Sequence, residues 1–447
     1  MKKRLFLLAA CVALSFTLTS NIGNAAASDD DDHPRIPNCG KEPCDAVARG
    51  FRAFFDRKLR GLEGNGRSCA DCHRAADNFQ LSPAVAEDRY QRLQWRRRWD
   101  RDADDPLFRP IDADDFRTNG NNASDFSNLR QNGLIRITFP LPANIKLIDP
   151  ATNLPSSETF VDVWRMVPSV FNVKLTGPDG QNPWPRGPNP TGGYQLDGRR
   201  GTLQEQALGA LMAHAQIQVA PSQRLLDDLT SFQRVLFTSD GVRELADAVD
   251  AGIVPLPDPD PPLNALEQEG KAVFIRACSQ CHGGAGQSTT LPPLPRRFHD
   301  IKSQCPRPVD TVSPARWAFK PCAPSLARNT RTYEITLANG TTIRRASSDP
   351  GRALLTGFVE GAPPTEDWNK FDVPGLRGIG QTAPYFHNNS AATLEEMVDH
   401  YIALFKFAQA TAAPGVVPPF TTTDGVHFDR QPLPEEREAL VAYLKKL

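Results

Sequence analysis

Two five-residue stretches carry the chemistry of this chain: Cys69-Ala70-Asp71-Cys72-His73 and Cys278-Ser279-Gln280-Cys281-His282. Two thiols one helical turn apart, followed at once by an imidazole, are what attachment of a c-type haem requires. The sulfurs add across the vinyl groups and the histidine takes an axial position on iron. A Cys-x-x-Cys pair also serves as a redox disulfide or as half of a zinc site. Zinc needs four ligands, however, and neither stretch is followed by a second Cys-x-x-Cys. Two covalent haems are therefore expected. Cys69 and Cys278 lie 209 positions apart, room for one haem domain each.

Helices must deliver these motifs. Leu266 to Arg276 forms an amphipathic helix leading into Cys278, and Asp45 to Leu62 forms one ahead of Cys69, with Val47, Phe51, Phe54, Phe55 and Leu59 on one face. Further helices are expected over Thr202–Ala213, Leu225–Leu236, Thr393–Phe405 and Glu435–Leu447. Leu134 to Phe139 alternates as a short strand, and Asn339-Gly340 within Tyr333–Ile343 predicts a β-hairpin. Gly177 to Gly193, rich in Gly, Pro and Asn around Trp184, reads as a long irregular loop. Pro255 to Pro262 cannot continue a helix and favours an extended linker. The expected fold is mainly α: two cytochrome c-like domains, 28–254 and 263–447, joined by 255–262, with long loops and a small β-hairpin insertion.

The basic stretch Arg92 and Arg96–Arg98 is read as solvated arginines over a packed face of Trp95 and Trp99, with a docking patch as the alternative. Asp102, Asp104, Asp105, Asp112, Asp114 and Asp115 lack the regular spacing of a calcium loop and are read as surface and turn.

A chain of 447 residues exceeds one small core. Lys2, Lys3 and Arg4 precede an apolar run from Leu5 to Leu18, and Ala25–Ala27 offers small residues for cleavage, so 1–27 reads as a secretory signal peptide and the protein as periplasmic. Leu8-Ala9-Ala10-Cys11 also matches a lipoprotein box, but the apolar run continues beyond it, which disfavours anchoring there. No later segment has about 18 uninterrupted apolar residues, so stable membrane insertion is not expected. Without residues 1–27 the formal charge moves from -1 to -4, which gives no basic excess for nucleic acid. Of nine cysteines, Cys11 and the four motif thiols leave Cys39, Cys44, Cys305 and Cys322. In an oxidising compartment the expected pairs are Cys39 with Cys44 and Cys305 with Cys322.

The stretch Val373–Tyr401, containing Thr382-Ala-Pro-Tyr-Phe-His-Asn-Asn389, closely resembles the signature of the di-haem cytochrome c peroxidase/MauG family, as does Asp197-Gly198-Arg199 followed by Leu203–Gly209. The resemblance covers most of 45–447, with 90–160 and 290–350 looking like insertions. It implies a first haem that meets hydrogen peroxide and a six-coordinate second haem that handles electrons. Fourteen positions after His387, where one branch carries Met, stands Tyr401, as in the MauG branch; Met397 lies one turn earlier as an alternative ligand. A phenolate favours oxidised iron, whereas a thioether raises the potential.

Several positions depart from the family pattern. Gln206 matches its pocket glutamine, but the acid expected ten residues later is Gln216, and a neutral amide moves protons poorly. His214 is a candidate substitute; a hydrogen-bonded histidine at a helix end is the plainer reading. The tryptophan between the haems is Leu196, leaving Trp184 or Tyr194 to stand in. At the family's calcium site Met166 replaces an asparagine, while Thr382 and Pro384 remain.

Three readings follow. The first is peroxide reduction fed by a small cytochrome c or cupredoxin. The second is a MauG-like oxidation, by peroxide or dioxygen, of a partner protein or organic substrate. The third is a non-enzymatic electron carrier.

Overall fold

The computed structural model describes residues 35–109, 112–113, 125–177, 193–288, 298–309, 318–360, 366–411 and 434–447. The signal segment, Trp184, Asp114 and Asp115 lie outside the described residues. In chain order the helices are α1 (Cys44–Phe55), α2 (Pro83–Arg97), α3 (Ser127–Asn132), α4 (Val173–Thr176), α5 (Leu203–Ala213), α6 (Gln223–Arg234), α7 (Asp240–Asp250), α8 (Ala265–Ala277), α9 (Pro324–Ala327), α10 (Ala353–Thr356), α11 (Leu394–Thr411) and α12 (Pro434–Leu444). The strands are β1 (Leu134–Pro140), β2 (Ile145–Leu147), β3 (Phe160–Met166), β4 (Phe298–His299), β5 (Arg331–Thr336), β6 (Thr342–Ser347) and β7 (Phe371–Asp372). Helix predominates, as expected, and none of the described helices is long and apolar enough to cross a membrane.

One kind of helix crossing occurs twice. Where α1 meets α6, a Cβ on Gly50 would stand 1.9 Å from the Asp228 carbonyl oxygen and 2.9 Å from Cβ of Phe232. Where α8 meets α12, a Cβ on Gly270 would stand 1.8 Å from the Ala439 oxygen and 2.8 Å from Cβ of Tyr443. In both, glycine lets the backbones touch, and an aromatic four residues beyond the contacted carbonyl fills the next turn of the partner. The first crossing belongs to a core built on Val47, Phe54, Leu211, Leu229 and Phe232, which includes Ala70 of the first motif. The second belongs to a core built on Phe274, Met397, Leu440 and Leu444, against which Cys278 packs.

Local sequence explains the helix limits. Ser222, Thr202 and Ser239 cap α6, α5 and α7 through their hydroxyls, and Asn264 with Glu267 forms a capping box on α8. Helix α8 runs directly into Cys278, whose N–H still donates to Phe274 O at 2.8 Å. Helix α1 stops at Phe55, short of the expected Leu62, because Asp56 turns extended and Leu59 enters the left-handed region at φ 39°. Leu59 is nonetheless buried in the same core.

The expected hairpin forms as β5 and β6, with Gly340 at φ 82° in its turn, and β2 adds a third antiparallel strand by pairing Leu147 with Tyr333. Strand β1 pairs along its length with β3, Leu134 opposite Met166. Both expected disulfides are present, with Cα atoms 5.1 Å apart for Cys39–Cys44 and 6.0 Å for Cys305–Cys322. Pro255 to Pro262 forms neither helix nor strand, and Asp260 pins it through Lys271, Arg377 and the Tyr443 hydroxyl.

Two surface readings need correction. Trp95 and Trp99 are not packed: they are 60% and 81% exposed, because the inward stripe of α2 is Ala86, Arg89 and Leu93, and Trp95 lies about 200° further round from Leu93. Nor are all the aspartates superficial. Asp105 and Asp112 are buried, paired with the equally buried Arg89 and Arg67.

The helix crossings are directly testable. Gly270→Ala forces a methyl against a backbone carbonyl that cannot rotate away, so it is expected to destabilise by about 1–3 kcal/mol. The measurement is the thermal unfolding midpoint of the purified protein; an unchanged or raised midpoint would show that α8 and α12 can separate without loss.

Candidate functional site: a cavity lined by two Cys-x-x-Cys-His motifs

The two motifs fold alike. In the first, the N–H groups of Cys72 and His73 donate to Cys69 O at 3.2 and 2.9 Å; in the second, those of Cys281 and His282 donate to Cys278 O at 3.2 and 2.9 Å. The turn brings both thiols and the imidazole to one side. None of the four motif cysteines is disulfide-bonded, although the other four described cysteines are. Burial pushes each free thiol up to about 12.

Each imidazole is held by a backbone carbonyl. His73 Nδ1 lies 3.0 Å from Phe79 O, and His282 Nδ1 lies 3.1 Å from Gln287 O and 3.2 Å from Pro374 O. A carbonyl only accepts, so Nδ1 carries the hydrogen and Nε2 keeps the lone pair. Burial pushes both histidines down to about 4, which keeps them in the neutral, ligating form. A cavity of about 500 Å³ is lined by both histidines and all four motif cysteines. Two unpaired thiols, a neutral imidazole with a fixed tautomer and an adjoining apolar cavity fit a c-type haem at each motif.

Around His73 the sequence candidates separate. Gln206 on α5 and His214 just beyond it both line the cavity. Gln216 does not; it sits at φ 51° and its amide oxygen accepts from Asn65 Nδ2 at 3.1 Å. His214 Nδ1 lies 3.0 Å from Asp112 Oδ1. Asp112 is 3% exposed and also paired with Arg67, which is 1% exposed. Sequence reading missed both residues as part of this site: Asp112 stood in a run of aspartates, and nothing in its spacing separated it from its neighbours.

Around His282, Tyr401 and Met397 lie one turn apart on α11 and both line the cavity. The Tyr401 hydroxyl has no hydrogen-bond partner among the described residues, and burial first, then the nearby Cys281 and Cys278, raise its pKa above the usual phenol value. Between the motifs, Leu196 and Tyr194 also line the cavity. So does His387, stacked on Phe371 with ring centroids 4.0 Å apart. Thr382 and Pro384 lie beside the cavity too, the Thr382 hydroxyl bonded to Ile379 O. Among the described residues no group of three or more His, Cys, Asp or Glu is placed to hold a metal ion.

No family model and no curated protein matches this sequence. Among solved structures the chain is similar to a MauG-like protein associated with microbial copper homeostasis, at 19% identity over 95% of this chain and 94% of that one, TM-score 0.41. It is also similar to the diheme peroxidase BthA from Burkholderia thailandensis E264, at 17% identity over 91% and 87% of the two chains, TM-score 0.38. A third likeness is to hydrazine synthase from Kuenenia stuttgartiensis, at 14% identity over 98% and 100%, TM-score 0.37.

The first motif carries its own acid-sensitive brace. Asp71, inside the motif, accepts from Ser68 N at 2.9 Å and from Arg57 Nη2 at 2.6 Å, with Arg89 nearby. Burial alone would raise its pKa, but the Arg57 and Ser68 hydrogen bonds and the charges of Arg57 and Arg89 outweigh it and hold the carboxyl below the ordinary range. A depressed folded pKa gives stability that is complete above the unfolded value near 4 and is lost as the pH falls through the folded value. Asp71→Asn is expected to cost about 2–3 kcal/mol at pH 7 and to flatten this acid-side loss. Unfolding midpoints at pH 7 and at pH 3 for both proteins check it; equal pH dependence would acquit Asp71.

Proposed function

We propose that this chain is an exported di-haem c-type peroxidase of the cytochrome c peroxidase/MauG family, reducing hydrogen peroxide at the pocket beside His73. On this reading 28–254 and 263–447 are cytochrome c-like domains joined by 255–262, and the repeated glycine crossing supports the division. Cys69, Cys72, Cys278 and Cys281 hold two haems covalently, with His73 and His282 as axial ligands. When bound, the haem supplies the redox chemistry: peroxide takes two electrons and two protons and leaves as two waters.

The observation that carries the reading is the difference between the surroundings of the two motif histidines, which line one cavity. The second offers Tyr401 and Met397, two side chains able to complete coordination of iron. The first offers Gln206 and a hydrogen-bonded His214, groups suited to orienting peroxide and moving its protons. Electrons would arrive from a small cytochrome or cupredoxin by way of the His282 pocket. Tyr401 favours a second reading, in which the same oxidising equivalents are spent on a partner protein or organic molecule, since a phenolate stabilises oxidised iron. The Thr382 and Pro384 backbone remains the proposed place for a calcium ion, with water completing its shell.

Electron paramagnetic resonance of the isolated ferric protein tests this. One high-spin and one low-spin haem are expected, with the high-spin signal lost on adding one equivalent of peroxide and restored by a reduced small cytochrome. Two low-spin haems indifferent to peroxide would make the chain an electron carrier. Tyr401→Phe should change the low-spin signal and Met397→Leu should not; the reverse pattern would transfer the ligand role to Met397.

A further inference from the structure

We infer that Asp112 is the positioning residue that makes His214 the proton-transferring base of the first pocket, and that buried Arg67 is the clamp that keeps Asp112 in place. The inference rests on the peroxidase reading. It answers the question raised by Gln216, the amide that stands where the resemblance calls for an acid and that is turned away from the cavity onto Asn65.

Three features of the geometry argue for it. First, tautomer: the Asp112 carboxylate can only accept, so with Nδ1 3.0 Å from Oδ1 the neutral ring carries its hydrogen on Nδ1 and its lone pair on Nε2. Nε2 has no partner among the described residues, and the ring lines the cavity close enough to His73 to perturb it electrostatically. Second, rigidity: Arg67 pairs with Asp112 through Nη1 and donates to Pro106 O at 2.9 Å, His214 O at 3.0 Å and Arg109 O at 3.1 Å. One guanidinium thus fixes both the carboxylate and the backbone of the histidine it orients. Third, charge: when Nε2 takes a proton, the imidazolium stands beside a carboxylate held in the low-dielectric interior, which stabilises it. The charged groups that bond to His214 are Asp112, at its ring, and Arg67, at its backbone carbonyl; the neutral His73 lines the same cavity.

The step balances with the small redox protein as reductant and solvent as the source of two protons. The inner O–H of peroxide gives its proton to Nε2. As the O–O bond breaks, Nε2 returns that proton to the outer oxygen, which leaves as water. The remaining oxygen becomes water with the two electrons of the small redox protein and two protons from solvent. A positioned base contributes about 10²–10⁴ in rate, and a correct tautomer is a precondition for that contribution.

The test uses the holoprotein and two readouts on the high-spin haem: the rate of peroxide reaction and the rate of cyanide binding, which also requires a base to take the proton of hydrogen cyanide. His214→Gln leaves the Arg67–Asp112 pair intact and is expected to slow both by about tenfold or more. Asp112→Asn should slow both by about tenfold to a hundredfold, while Asp112→Glu restores part. Unchanged cyanide rates in His214→Gln would overturn the inference. So would a new high-spin signal in that variant from a parent with two low-spin haems, because His214 would then be an iron ligand. If Asp112→Asn fails to fold, an unaltered rate in Asp112→Glu together with an unaltered rate in His214→Gln overturns it as well. Cyanide binding that depends on His214 in a protein inert to peroxide would sustain the base assignment while sinking the peroxidase reading.

Discussion

Each motif histidine gives its Nδ1–H to a backbone carbonyl, and much of the surrounding packing exists to keep that carbonyl in place. The carbonyls come from Phe79 at φ 54° and Gln287 at φ 51°, both in the left-handed region that side-chain-bearing residues avoid. Such a conformation costs of order 1–2 kcal/mol and persists only where packing over-determines it. For Phe79 the compensation is aromatic: its ring meets Phe54, Phe171 and Phe232 edge-on, with centroids 6.1, 5.3 and 6.3 Å apart. The same Phe54 and Phe232 build the α1–α6 crossing, so the crossing, the strained loop and the imidazole tautomer are one mechanical unit. A histidine free to rotate would present Nδ1 as readily as Nε2 and would lose the directed lone pair on which ligation depends.

Buried ion pairs do the corresponding work for segments far apart in sequence. Arg165 on β3 pairs with Asp197 and Asp349, 32 and 184 residues away, and Arg89 on α2 joins Asp105 to the Asp71 carbonyl inside the first motif. Desolvating these charges is expensive, and an apolar replacement of the same shape would often be as stable. Their geometry is nonetheless selective: each guanidinium has donors in fixed directions, and a shifted strand or loop would leave one of them buried without an acceptor. Register is thereby enforced across β1, β3 and the loops that flank the cavity.

What the sequence disclosed follows from how local each signal is. The five-residue motifs, the hairpin turn at Gly340 and the short-range disulfides each depend on nearby residues, and each is present in the structure. The misreadings concern residues whose meaning is set at long range. Asp105 and Asp112 look alike in sequence to the exposed Asp102, and only their arginine partners make them interior residues. The same holds for Trp95: helical spacing places it on one face of α2, but which face turns inward is decided by Leu93 packing into a cluster with Cys72 and Leu107, and Trp99 lies in the turn beyond the helix. Composition cannot reveal that choice.

The pocket beside His73 joins these lines. Residues 90–160 supply Asp112, and Arg67, two residues before Cys69, comes from the stretch that leads into the first motif. Gln216, three residues past α5, is a neutral amide held by Asn65, whereas Asp112 comes from a segment distant in sequence and brings a carboxylate to His214. His214 without Asp112 has no reason to prefer the tautomer with a bare Nε2, and Asp112 without Arg67 would be an uncompensated charge in the interior. The segment that carries Asp112 thus reaches the cavity-lining His214 at its buried end, and Arg67 ties both to the stretch that leads into the first Cys-x-x-Cys-His motif.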